Sequence, residues 1–161
     1  MNKKRWGYLL LIITLTILLY PFSFIEVETK KNRQTLLLKK VSPGDQFEFR
    51  YIHSVDRTPV VGFFLITSNG TIKPIETHFS SYGPGLPCTA GHVYREGEKM
   101  IAKPESEDMD CFSFFISPAT NQSVTIKNER LDFSSLREGE VVKVTVKRYS
   151  WGKRMLRYGR K

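Results

Sequence analysis

Cysteine and histidine are scarce in this chain of 161 residues. Cys88 and Cys111 are its only cysteines, and His53, His78 and His92 its only histidines. A structural metal centre takes three or four ligands, and no Cys-x-x-Cys spacing occurs, so neither a metal site nor a cofactor is expected. Also missing are a Gly-x-Ser-x-Gly elbow, a Gly-Lys-Ser phosphate loop and a Gly-x-Gly-x-x-Gly run. Their absence removes the sequence marks of an α/β-hydrolase nucleophile and of nucleotide binding. Beyond the first 25 residues no segment carries a convincing apolar period of 3.6, which argues against a helical bundle.

Charge is missing from Trp6 to Ile25, twenty residues that include Leu9-Leu10-Leu11-Ile12-Ile13. As a helix this run would span roughly 30 Å, the hydrocarbon thickness of a bilayer. It predicts a transmembrane helix, with residues 1–25 as cytoplasmic start and anchor. A cleaved signal peptide would need small residues before its cleavage point, and Tyr20-Pro21-Phe22-Ser23-Phe24-Ile25 has no such pair. A soluble helix would need a polar face. Lys3, Lys4 and Arg5 before the run nearly balance Lys30, Lys31 and Arg33 after it. The long C-terminal part, which translocates largely regardless of charge, therefore sets the orientation. The expectation is a single-pass protein of the cell membrane, with a cytoplasmic N-terminus and an extracytoplasmic C-terminal domain.

Acidic residues are missing from Lys143 to the end, where eight cations accumulate. With Lys3, Lys4 and Arg5 these exceed the whole net charge of +9, so the body of the chain is slightly acidic. The basicity belongs to the two ends, and no nucleic-acid partner is expected. Residues 150–161 interleave Trp151, Met155, Leu156 and Tyr158 with Lys153, Arg154 and Arg157. This basic tail reads either as a segment resting on anionic lipid or as a solubilising end.

What is present is strand pattern. Residues 26–34 are polar and charged, a short stalk, and β character begins at Thr35. Phe47, Phe49 and Tyr51 alternate with Glu48 and Arg50, as in a half-buried strand. Val60–Ile66 is apolar on both faces and suits a central strand. Ser68-Asn69-Gly70-Thr71 carries the Asn-Gly pair of a type I′ hairpin. Its return strand holds Ile75, Thr77 and Phe79 on one face, Glu76 and His78 on the other. Glu96–Asp110 is polar and reads as loop. Phe112, Phe114 and Ile116, then Val124 and Ile126, then Val142, Val144 and Val146 mark further strands. The predicted fold is all-β, an antiparallel β-sandwich or barrel of about seven or eight strands over 35–149.

Candidate chemistry is thin. Glu76 and His78 emerge on one strand face, a geometry that can move protons, though a surface Glu–His pair explains it as well. His53-Ser54 and Ser80-Ser81 hold the atoms of nucleophilic catalysis in no recognisable arrangement. Cys88 and His92 resemble a thiol with its base, but two isolated cysteines outside a membrane read as a Cys88–Cys111 disulfide. In the segment Thr77–Pro87, Ser80, Ser81 and Tyr82 offer hydroxyls, while Gly83 and Gly85 allow close backbone approach. That loop suits a carboxylate, or makes a tight corner between strands.

Two stretches together carry a family resemblance. Tyr51-Ile52-His53-Ser54-Val55 with Thr58-Pro59-Val60 resembles the first motif of a prokaryotic family, domain of unknown function 1850. The run from Glu76 to Pro87 resembles its second, a Thr-x-Phe-x-Ser-x-Gly-x-Gly-Leu-Pro pattern. The resemblance implies an accessory protein of a TRAP-type uptake system of the TAXI class, taking organic acids or amino acids. It implies no activity. After Thr58-Pro59-Val60 the family usually places a glutamate, and this chain has Val61-Gly62. The resulting expectation is a non-enzymatic binding or docking module that uses His53, Ser54, Thr58, Pro59, His78, Ser80, Ser81, Gly83 and Gly85. Its partners would be membrane lipid and a transporter subunit or its solute. The alternative is a cell-envelope hydrolase or metal-dependent enzyme built on His53, His78 and Ser80.

Overall fold

Two antiparallel sheets follow from the apolar–polar alternation, in a computed structural model that describes residues 3–19, 21–80 and 90–150. A helix, α1 (Lys3–Leu19), comes first. The strands are β1 (Pro21–Thr29), β2 (Thr35–Lys40), β3 (Gln46–Ile52), β4 (Pro59–Ile66), β5 (Ile72–Phe79) and β6 (Ala90–Glu96). They continue as β7 (Lys99–Pro104), β8 (Cys111–Phe115), β9 (Ser123–Ile126), β10 (Glu129–Asp132) and β11 (Val141–Ser150). The small sheet has the order β2-β1-β11-β8, and the large one β10-β9-β3-β4-β5-β7-β6.

Of the two expected architectures the structure is the sandwich. Ile25 and Val27 of β1 and Val142 and Val144 of β11 form one core with Phe47, Phe49, Phe64, Ile66, Val124 and Ile126 of the large sheet. Phe47 stacks on Phe64 with ring centres 4.9 Å apart. Phe112 of β8 then meets Phe49 at 5.1 Å and Phe64 at 4.7 Å, joining the two sheets. Burying each such side chain stabilises the fold by about 1.5–3 kcal/mol relative to exposure. β4 is central in its sheet, as its apolar character predicts.

The N-terminal region departs from expectation. No helix among the described residues is long and apolar enough to cross a membrane. Pro21, lacking an N–H, cannot continue a helical ladder, and β1 begins at it. The end of the expected anchor and the first four residues of the expected stalk are this strand, paired along its length with β11 from Pro21–Ser150 to Thr29–Val142. β structure therefore starts at Pro21 and not at Thr35. Two charges in the strand, Glu26 and Glu28, gave it the look of a stalk. Glu26 is nevertheless fully buried. Its carboxylate accepts hydrogen bonds from Tyr149 Oη at 2.9 Å and Thr35 Oγ1 at 3.1 Å, and Lys147 Nζ lies 2.8 Å away.

Three further differences have local causes. Eleven strands are described where seven or eight were expected, partly because β7 lies inside the polar stretch Glu96–Asp110. Its Met100-Ile101-Ala102 core is short, buried, and flanked by charge in sequence. The β4–β5 hairpin falls where Asn69-Gly70 predicts, but its loop is Ser68-Asn69-Gly70, closed by Thr67 N–H to Thr71 O at 3.0 Å. Gly70 has φ +82° and Asn69 is not at positive φ, so the turn is not type I′. Positive φ at both central residues occurs instead between β9 and β10, at Lys127 and Asn128. There the ammonium of Lys127 is held 2.7 Å from Asp45.

Candidate functional site

Alternation decides which side chains of β3, β4 and β5 reach the outer face of the large sheet. Phe47, Phe49 and Phe64 point into the core, so Glu48, Arg50, Val61 and Phe63 point away from it. Pairing then sets two rows. Arg50, Val61 and His78 lie abreast across three strands, and Glu48, Phe63 and Glu76 lie abreast beside them. A bulge between Phe63 and Phe64 shifts the register of β5 and leaves Ile75 without a direct partner on β4.

A cavity of about 190 Å³ opens over these rows. Pro59, Val61 and Phe63 give it an apolar floor, with Glu48 and Arg50 on one side, His78 and Ser80 on the other and Lys99 at the rim. His78 Nε2 is 2.7 Å from Glu76 Oε1. An ionised carboxylate only accepts, so Nε2 donates. The imidazole also packs on Phe63, ring centres 4.7 Å apart. Arg50 is exposed, and among the described residues its guanidinium makes no ion pair or hydrogen bond. Val61, which with Gly62 stands where the resemblance leads one to expect a glutamate, sits in the floor between Arg50 and His78.

The expected site residues are divided. His78, Ser80 and Pro59 come together at the cavity. His53, Ser54 and Thr58 do not line it. They form the turn between β3 and β4, where His53 N–H donates to Thr58 O at 2.8 Å and Arg57 N–H to His53 O at 3.0 Å. His53 Nδ1 accepts long bonds of 3.4 Å from the N–H groups of Val55 and Asp56, so its ring caps the turn. On the inner face next to this turn, burial pushes the Tyr51 phenol above its ordinary pKa. Ser81, Gly83, Gly85 and Cys88 lie outside the described residues, as does the tail after Ser150. Among the described residues Cys111 is a free thiol, and because Cys88 lies outside them the expected disulfide is left without support.

Among the described residues no group of three His, Cys, Asp or Glu side chains could hold a metal ion. No hydrogen bond joins His78 to Ser80. The sequence reading missed Glu48, Arg50, Val61, Phe63 and Lys99. One signal was there: apolar residues on both faces of β4 mean that Val61 and Phe63 point outward into something other than open water.

A family described as "Domain of unknown function (DUF1850)" matches residues 47–133, a stretch running from β3 through β10 to Phe133. No curated protein and no solved structure matches the chain.

Proposed function

The chain belongs to the DUF1850 family, and from that premise we propose that it is a membrane-tethered, extracytoplasmic binding module whose outer-face cavity takes a small carboxylate solute. The observation that carries the reading is Arg50. An uncompensated guanidinium beside an apolar floor suits a carboxylate with a carbon chain, because it can pair with both oxygens while the chain covers Phe63 and Val61. Lys99 at the rim adds a second cation. The tether would be α1, whose Trp6, Tyr8, Leu9, Leu10, Leu11, Ile12, Ile13 and Leu15 are all exposed. Lipid would cover that surface, and the long chain that follows favours an extracytoplasmic domain. In this reading the module serves a TRAP-type uptake system of the TAXI class, the setting the family resemblance implies.

The test is equilibrium binding of short carboxylates to the purified chain in detergent. Saturable binding that falls at least tenfold with Arg50→Ala is expected, with thermal stability unchanged. Retention of full affinity by that variant counts against the site. Recovery of a TRAP membrane subunit with the tagged chain, identified by mass spectrometry, tests the transport setting separately.

A second reading rests on the Glu76–His78 pair beside Ser80, the order of an orienting acid, a base and a nucleophile. Ester turnover that disappears with Ser80→Ala and with His78→Ala would move the chain to the hydrolases.

A further inference from the structure

Glu48 and Arg50 stand two residues apart on β3 and on the same outer face, at one side of the cavity. They are close enough to belong to one ligand and do not pair with each other. Among the described residues, neither side chain has a hydrogen bond or ion pair. Each also heads a row. Arg50 is followed across the sheet by Val61 and His78, and Glu48 by Phe63 and Glu76. One row therefore offers a cation and the other a carboxylate. Glu76 is already engaged by His78, which leaves Glu48 as the free acceptor.

We propose that the solute is an α-amino acid with an apolar side chain, its carboxylate on Arg50 and its ammonium on Glu48. The inference rests on the cavity being a solute site. Adjacent same-face residues of a strand are about 7 Å apart. Two long side chains rising from that spacing can each hydrogen-bond one of two charged groups carried on a single ligand carbon. A plain carboxylic acid would leave Glu48 uncompensated near a second negative charge, and a plain amine would leave Arg50 unpaired. The side chain of the ligand lies over Phe63, Val61 and Pro59. At about 190 Å³ the cavity is smaller than the roughly 300 Å³ at which drug-sized sites begin, a size suited to a small metabolite.

The experiment compares three probes with the same branched side chain on the full chain in detergent by calorimetry: leucine, 2-hydroxy-4-methylpentanoate, which lacks the ammonium, and 3-methylbutylamine, which lacks the carboxylate. Leucine is expected to bind at least about tenfold more tightly than either of the others, the effect of losing one charge-assisted hydrogen bond. Glu48→Gln should weaken leucine at least about tenfold and, by removing a nearby negative charge, should leave the hydroxy acid bound as tightly or more tightly. Equal affinity for leucine and the hydroxy acid overturns the amino-acid assignment and leaves the carboxylate site intact. Leucine binding that ignores both Glu48→Gln and Arg50→Ala overturns the assignment too, since the ligand then sits elsewhere. If none of the three binds, the solute site and this inference fall together.

Discussion

The carboxylate of Glu26 and the ammonium of Lys147 meet at 2.8 Å across the β1–β11 ladder, the acid fully buried and the lysine one-third exposed. A buried carboxylate without its partner is costly, and removing one member of such a pair destabilises by about 3 kcal/mol or more. Lys147→Met is therefore expected to lower the urea midpoint clearly at pH 7. Burial alone lowers the Lys147 pKa, but the hydrogen bond and charge of Glu26, with Tyr149 and Glu28, outweigh it and hold the ammonium above its ordinary value. That contribution is complete below about 10.4, the ordinary lysine value, and is lost as pH rises through the higher folded value. Urea titrations from pH 7 to 11 should show an alkaline loss that Lys147→Met lacks.

Asp45 gives the opposite sign. Burial raises its carboxyl, while the hydrogen bond from Lys127, the Ser42 N–H at 2.6 Å and the Lys127 charge together hold it below the ordinary value. The stabilisation is present above about 3.9 and disappears as pH falls through the lower folded value. Asp45→Asn should be less stable at neutral pH and should flatten the acid limb of the stability curve. An unchanged acid limb would remove Asp45 from the account.

Strand β1 supplies Ile25 and Val27 to the core and pairs with both β2 and β11. A chain beginning at Pro21 is expected to fold, with dispersed amide resonances. One beginning at Thr35 exposes the edges of two strands and should be unfolded or aggregated.

Val61 invites a substitution at the centre of the cavity. In Val61→Glu the new carboxylate stands between Arg50 and His78 and neutralises the guanidinium. Solute binding should fall at least tenfold, with stability changed by about 1 kcal/mol or less. Undiminished binding would show that Arg50 does not receive the solute.

Much of the large sheet was legible because period-two alternation is a local property. Phe47, Phe49 and Tyr51 announce β3, and Asn69-Gly70 marks a hairpin without fixing its type. β1 was not legible, since the partner that makes Glu26 tolerable in the interior is Lys147, at the far end of the chain. β7 was hidden because three buried residues between charges carry little signal. The site divides in the same way. His78 could be singled out by residue type, whereas Arg50 gains its meaning only from a register that places Val61 and His78 beside it. His53, equally conspicuous in sequence, has its ring turned to the backbone of its own turn.

The pairing of Pro21 with Ser150 has a mechanical consequence. Among the described residues the β structure begins and ends at neighbouring points on antiparallel strands. A force drawing the two ends apart opens the β1–β11 ladder one rung at a time, so each step meets only a bond or two. A force applied at Pro21 and opposed at the far end of β11 would load the same rungs together, in shear. The domain should therefore yield easily to a pull between its own ends and resist a drag on its body against the N-terminal leash.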